Sequence, residues 1–379
     1  MTKYTANFAL DADERTLQQF KECYTLPFVE KAALMPDAHA GYVAPIGAVL
    51  VTKDYVVPSW VGFDIGCGVT AVQIKNKDIL KKIHAMQKEI YTEVKNAVPM
   101  GLGKVSHPQQ IHRSTVEAFN TLLKEFVKQS HDKEVYKILK NKGISNLGSL
   151  GEGNHFIEIG YYQDEVWIII HTGSRNIGHK IATIYMKKAA QSETKYEETH
   201  ALSVNHEIGK EYLNTLNVLL EFALLNRLEI VNRVVDALEV VLKEPIKHEL
   251  WTNKNHNHAV LEDGFFVHRK GATPAKKGER GVIPGNMRDG SYLVEGLGNE
   301  KFLCSSSHGA GRRMSRHQAR KEISMQQFTE SMHGITATID TSVLDEAPDA
   351  YKNIFDVMDA QKESVLVLKH ILPLINWKG

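Results

Sequence analysis

The sequence predicts a mixed α+β protein, built as one compact unit over residues 1–379. Three observations carry that expectation. Residues 77–142 and 205–243 repeat apolar side chains at three-to-four spacing, the period of an α-helix. Residues 156–159 alternate and residues 166–170 are continuously apolar, as strands are. No internal repeat or low-complexity linker divides the chain. Apolar residues make up 42% and charged residues 24%, which sets the chain among ordinary globular proteins and apart from disordered ones.

Charge and cysteine usage narrow the classes further. A formal net charge of +1 excludes a uniformly basic nucleic-acid coat, so any RNA or DNA contact must come from local clusters. The chain has no run of 18 apolar residues, and MTKYTANFALDADERT has no apolar core of a signal peptide, so no membrane partner and a cytoplasmic location are expected. Cys23, Cys67 and Cys304 cannot form a disulfide framework, which leaves an unpaired one available for metal or for burial.

Taken in order, MPDAHAGYVAPIGAVL at 35–50 puts Asp37 and His39 on one face of an extended segment, where an acid could orient the imidazole beside a metal; a polar turn before a strand is the competing reading. In VGFDIGCGV at 61–69, Gly62, Gly66 and Gly68 strip bulk from around Asp64 and Cys67, as if backbone were brought close to a ligand. The amphipathic stretch 77–142 contains His84, His107, His112 and His131, read as solvated side chains without chemistry. GSLGEGNHFIEIG at 148–160 leads through Asn154 and His155 into a strand whose Phe156 and Glu158 share a face, a ring to stack and a carboxylate to accept amino hydrogens of a nucleobase.

The buried strand in EVWIIIHTGSRNIGHKI ends on His171, with Arg175 four residues later; a helix is expected over 178–190, and His179 has no assigned role. Asn226, Arg227, Asn232 and Arg233 interrupt the long helix at 205–243, and Arg227 points either toward an anionic site or into a solvated stripe. NKNHNHAV at 253–260 offers His256 and His258, followed by a strand-like FFVHRKGA and a charged Gly/Pro loop segment. Helical patterns are expected at about 314–331 and 348–363.

Between them lies SSSHGAGRRMSR at 305–316. Gly309 and Gly311 let a bulky group approach His308, imidazole is a nucleophile at neutral pH, and Arg312, Arg313 and Arg316 supply forks that suit phosphate. A histidine that attacks phosphorus and a glycine-rich turn entering a helix are about equally good readings of these residues alone. Asp64, Cys67, His155, His171 and His256 together form a set of metal-ligand types suited to Mn²⁺, Zn²⁺ or Fe²⁺, at spacings unlike the compact zinc patterns. Neither a GxxxxGK[ST] loop nor the KxDG lysine of conventional ligases is present, since Met287 stands in MRDG where that lysine would be.

Read jointly, MPDAHAGYVAPIG, GFDIGCGV, GEGNHFIE, HTGSRNIG, NHN, RKGA, IPGNM and SSSHGAGRRMSR resemble, in this order, the RtcB family of RNA-splicing ligases. Val43 departs from the glycine usual in the first motif. The resemblance implies an α+β fold of mixed and antiparallel sheets flanked by helices, with a cleft holding a metal pair. It implies Cys67 bridging two Mn²⁺ ions, completed by Asp64, His155, His171 and His256, and His308 as the residue that accepts GMP from GTP. Asn154, Phe156, Glu158, Ser291, Ala310 and Lys378 fall at guanylate-binding positions, and Arg175, Arg312 and Arg316 at positions that hold RNA phosphates. The substrates implied are RNA 3′-phosphate or 2′,3′-cyclic phosphate ends and 5′-hydroxyl ends, with GTP and an archease-type activating protein as further partners. From the residues alone, a metal-dependent phosphodiesterase and a non-catalytic RNA-binding accessory are the alternatives.

Overall fold

In the computed structural model, which describes residues 4–379, the β-branched and apolar runs of the sequence pair into two main sheets. The larger follows the strand order Arg280–Pro284, Ser291–Gly296, Val365–Lys378, Phe156–Tyr162, Glu165–Thr172, Gly68–Ile74, His248–Asn255, and every pair along it is antiparallel. The short strand Thr336–Ala337 adds in parallel to Val365–Lys378. The smaller sheet runs Tyr4–Asn7, Val29–His39, Ile46–Thr52, Phe265–Lys270, Asn257–Glu262, antiparallel except for its first pair. Mixed and antiparallel sheets flanked by helices are thus the architecture, as expected for an α+β chain.

The helix Glu207–Leu242 explains its own all-round apolarity. At 36 residues it is about 54 Å long, long enough to pack on different partners along its length. Its second half, through Ile230, Val234 and Leu238, lies on the larger sheet against Val72, Ile157 and Ile168. Its first half, through Tyr212, Leu216, Leu219 and Phe222, is enclosed by Phe119, Phe126, Ile177, Ile181 and Tyr185 of the flanking helices.

Several boundaries differ from the sequence expectation. The stretch 77–142 forms four helices, Ile79–Ala85, Gln87–Ala97, Arg113–Gln129 and Lys133–Asn146. The helix expected at 178–190 begins earlier, at Arg175. The pattern at 314–331 splits into Arg316–Glu322 and Met325–Ser331, because Ser324 starts a new helix with a capping box to Gln327. Only Ile354–Ala360 of 348–363 is α-helical. Of the four histidines read as solvated, His84, His107 and His131 are exposed, but His112 is half-buried between Glu229 at 3.1 Å and Asp236 at 2.9 Å.

Candidate active site and metal centre

Register, more than any local motif, assembles the site. His171, the next-to-last residue of the strand Glu165–Thr172, lies opposite Phe156, so His155 and His171 come together at one sheet end. Gly68 pairs with both Thr172 and Asn255, which brings Cys67 and His256 to the same end. The amide of His256 donates to the Cys67 carbonyl at 2.7 Å and fixes that junction. The five candidate ligands therefore converge from separate parts of the chain.

Their donor atoms form two overlapping triads. Those of Cys67, His171 and His256 lie within 4.8 Å of one another, and so do those of Asp64, Cys67 and His155. Cys67 Sγ sits 3.1 Å from His171 Nε2 and 3.5 Å from His155 Nε2, and His155 Nε2 is 2.9 Å from Asp64 Oδ2. One sulfur shared by two triads is the donor arrangement that fits two cations with a bridging thiolate.

The surroundings prepare these groups for metal. His155 Nδ1 donates to the Leu150 carbonyl at 3.1 Å and His171 Nδ1 to that of Asn154 at 3.2 Å, which leaves each Nε2 lone pair facing the sulfur. Burial holds His171 and His256 well below the usual imidazole range, so both are neutral, the form that binds metal. Burial works to raise the Asp64 carboxyl, but His155 and Arg175 outweigh it and bring it to about 2. The Cys67 thiol is pushed well above its ordinary value by burial and by Asp64, so its ionisation requires a nearby cation.

Beneath the cluster, Arg227 answers the question its sequence position left open. It faces neither an anionic ligand nor solvent, being fully buried with Nη1 donating to the Gly66 and Thr172 carbonyls at 2.9 Å each. Its Nη2 and Nε reach Asn255 and Asn253, both at 2.7 Å. Arg227 thus ties together the backbone next to Cys67, His171 and His256. Arg227→Met is expected to lower the unfolding free energy by about 3 kcal/mol, since several buried acceptors lose their donor; chemical denaturation measures it. Gly66 and Gly68 likewise serve packing, because a Cβ at Gly66 would fall 2.7 Å from the Ala223 methyl and one at Gly68 would strike the Lys254 and Asn255 backbone. The expectation that these glycines open space for a ligand is corrected to close approach of protein backbone.

His308 lies against this centre, its ring 4.9 Å from that of His256. Its Nδ1 is 2.7 Å from Asp37 Oδ2, and the same oxygen accepts the backbone N–H groups of His308 at 3.1 Å and Gly309 at 3.3 Å. A carboxylate on Nδ1 sets the tautomer that leaves Nε2 with its lone pair. The acid in MPDAH therefore orients His308, while His39 bonds only the Asp37 carbonyl at 3.0 Å. Gly311, at φ +74°, allows the Asp37 backbone to approach, and Gly271, at φ +61°, leaves room for the His308 ring, which a Cβ there would meet at 3.1 Å.

A cavity of about 780 Å³ opens from the candidate metal ligands Asp64, His155 and His171 past His308. Asn154, Phe156, Glu158, Ser291, Ala310 and Lys378 all line it, as do Arg312 and Arg316. Glu158 is buried, accepts Ser291 Oγ at 3.1 Å and Asn376 Nδ2 at 3.4 Å, and is raised by burial to about 7. Lys378 Nζ lies 5.3 Å from the Phe156 ring centroid and 3.3 Å from Glu346.

The three arginines are placed differently from one another. Arg175 Nη1 sits 3.1 Å from His155 Nδ1, and its Nε is buried with no hydrogen-bond partner. Arg312 donates to Glu346 at 3.2 Å and to the Asp345 carbonyl at 2.8 Å, so its fork is engaged by protein. Arg316 is 53% exposed and only loosely paired, 3.7 Å from Asp345 and 3.9 Å from Glu346. The buried acids Asp345 and Glu346, and Tyr351 beside them, were not found from the sequence. They belong to no glycine-rich or histidine-bearing motif, and only the adjacent acids Asp345 and Glu346 behind Val343 and Leu344 in SVLDEAPDAY mark them.

Comparison with known proteins identifies the family of the chain. The family model described as tRNA-splicing ligase RtcB matches residues 19–379. The RNA-splicing ligase RtcB of Escherichia coli K12 is 33% identical over 99% of this chain and 96% of its own length. RNA-splicing ligase RtcB1 of Escherichia coli ATCC 25922 is 34% identical over the same shares, 99% and 96%. The tRNA-splicing ligase RtcB of Methanococcus maripaludis is 30% identical over 94% of this chain and 89% of its own. With the match running nearly end to end and the cysteine–histidine centre in place, this chain belongs to the RtcB family.

Proposed function

We propose that this protein, acting as one catalytic unit over 1–379, is a GTP-dependent RNA ligase that joins a 3′-phosphate or 2′,3′-cyclic phosphate end to a 5′-hydroxyl end. The observation that carries the reading is His308, held by Asp37 with Nε2 free, against a cluster of five metal-ligand side chains and at the wall of a nucleotide-sized cavity. Asp64, Cys67, His155, His171 and His256 would hold two Mn²⁺ ions, which when bound supply Lewis-acid charge at phosphate oxygens.

His308 Nε2 attacks the α-phosphorus of GTP, the bond to the β-phosphate oxygen breaks, and pyrophosphate leaves. Asp37 holds the Nδ1 proton and balances the positive charge that develops on the ring. The guanylate then passes from His308 to an RNA 3′-phosphate, a cyclic end being hydrolysed open first. A 5′-hydroxyl oxygen attacks the activated phosphorus and GMP departs. Phe156 and Lys378 would flank the base, Glu158 would accept its amino and ring N–H hydrogens, and Ser291, Asn154 and Ala310 complete the wall. Arg316 is the phosphate-holding candidate with an accessible fork; Arg312 would exchange its present partners to take that role, and Arg175 would bring to it the buried Nε that has no partner among the described residues.

Incubating the protein with Mn²⁺, GTP and RNA pairs that differ only at their ends tests this. Ligation of 3′-phosphate to 5′-hydroxyl ends, absent without GTP and absent for 5′-phosphate acceptors, is the expected result. Turnover of cyclic ends without GTP, and with no joined product, would point to a phosphodiesterase instead.

The charge state of Glu158 adds a pH dependence. Only the carboxylate can accept two hydrogens from guanine, and burial sets this group at about 7, with Ser291, Asn376 and Lys378 facing it. Guanine nucleotide binding should therefore weaken about tenfold per pH unit as pH falls below that value, because protonation must then be reversed on binding. Titrating GMP affinity from pH 8 to pH 5.5 measures it, and Glu158→Gln should flatten the curve. For stability the sign is opposite: an acid raised above its unfolded value destabilises the fold as pH rises through about 7.

A further inference from the structure

Next to the metal centre, three aromatic rings form a connected surface that the guanylyl-transfer chemistry does not use. Tyr42 is 75% exposed and lines the cavity. Its ring meets that of Phe63 edge-on at 5.7 Å and 90°. Phe63 in turn stacks on the exposed ring of His179 at 4.6 Å and 17°. Phe63, the middle ring of the row, is the residue before the candidate metal ligand Asp64, and Tyr42 at one end of the row lines the cavity.

We propose that Tyr42, Phe63 and His179 form a stacking platform for an unpaired nucleobase of the RNA next to the ends being joined. The inference rests on the RNA-ligase reading and adds a subsite to it. A ring left three-quarters in water at a cavity wall gains nothing for folding, yet presents the sequence-tolerant surface with which single-stranded nucleic acid is bound. The chemistry beside it suits the rest of a nucleotide. Arg15 also lines this wall, is exposed, and among the described residues makes one weak hydrogen bond, to the Gly41 carbonyl at 3.5 Å, so its guanidinium can meet a backbone phosphate. In the proposed function the base of GTP is met by Phe156 and Glu158, which leaves Tyr42, a different part of the same cavity lining, to take RNA. It is a positioning surface and takes no part in proton or phosphoryl transfer.

The test is a double comparison on the metal-loaded enzyme: wild type, Tyr42→Ala and Tyr42→Phe, each with a normal RNA pair and with RNAs abasic in turn at the nucleotides flanking the junction. Tyr42→Ala should raise the RNA KM about tenfold, within the range of one base–aromatic stack, while Tyr42→Phe stays near wild type. An abasic site at the contacted nucleotide should cost wild type about the same factor and cost Tyr42→Ala almost nothing further. Labelling of the protein by GTP should be equal in all three, since Tyr42 lies outside the guanylyl-transfer step. The platform is overturned if Tyr42→Ala ligates with wild-type KM, or if every abasic penalty is the same in Tyr42→Ala as in wild type. Wild type that neither binds nor joins RNA would remove the ligase reading itself and the platform with it.

Discussion

Protein carrying His308→Ala, incubated with α-labelled GTP and Mn²⁺, should acquire no label, a loss of at least about 10³-fold against wild type. The effect is that large because nothing else in the cavity can replace the nitrogen. His171 and His256 present their Nε2 atoms to the Cys67 sulfur and to each other, and His155 presents its own to Asp64. His39 is bonded at Nδ1 to a carbonyl and is held by burial down to about 4. Wild-type adduct should be acid-labile and stable to base, as a phosphoramidate is. His308 is in neither ligand triad, so metal content should survive the substitution and separate loss of the nucleophile from collapse of the centre. Asp37→Asn extends the test: the tautomer-setting charge is lost while the shape is kept, and labelling should slow by roughly 10²-fold or more. Label on the His308→Ala protein at anything near the wild-type level would end the proposed mechanism.

How much of this could be read from the chain differs by kind of residue. Cys67, His155, His171 and His256 were legible because each is an unusual residue type next to glycine or at a strand end. Their convergence was not legible, since it depends on the registers Phe156 to His171 and Gly68 to Asn255, and pairing across a sheet leaves no mark in either strand alone. Asp37 was noticed for the wrong partner. Proximity in sequence favoured His39, but Gly311 lets the backbone of 37 press against the loop of 308, a contact 271 residues apart. Arg227 was misjudged because helical periodicity reports which face is buried and says nothing of carbonyls from other strands that end there. The C-terminal strand Val365–Lys378 was visible only as an apolar run, yet it places Lys378 and Asn376 in the cavity by pairing with the strand of Phe156 and Glu158.

The largest structural consequence is expected from Cys67. If its sulfur bridges two cations, Cys67→Ala should lose both, each affinity falling by more than about 10²-fold, while His256→Ala should lose one and keep the other. The asymmetry follows from membership: Cys67 is in both triads, whereas His256 is in one. Two independent sites would behave differently, because the sulfur would then serve only one of the Asp64–His155 and His171–His256 pairs and Cys67→Ala, like His256→Ala, would lose one cation. Metal analysis after gel filtration in Mn²⁺ distinguishes the cases, and thermal unfolding provides a second readout. Metal that binds only the folded chain stabilises it by about 2.7 kcal/mol at a free concentration 100-fold above Kd. Wild type should show that gain over its EDTA-treated form, His256→Ala part of it, and Cys67→Ala none. Apo Cys67→Ala should melt close to apo wild type, because Arg227 still holds the Gly66 and Thr172 carbonyls and keeps the sheet end closed without the sulfur. Full occupancy of both cations in Cys67→Ala would refute the bridge, and with it the reason this one cysteine lies between two imidazoles.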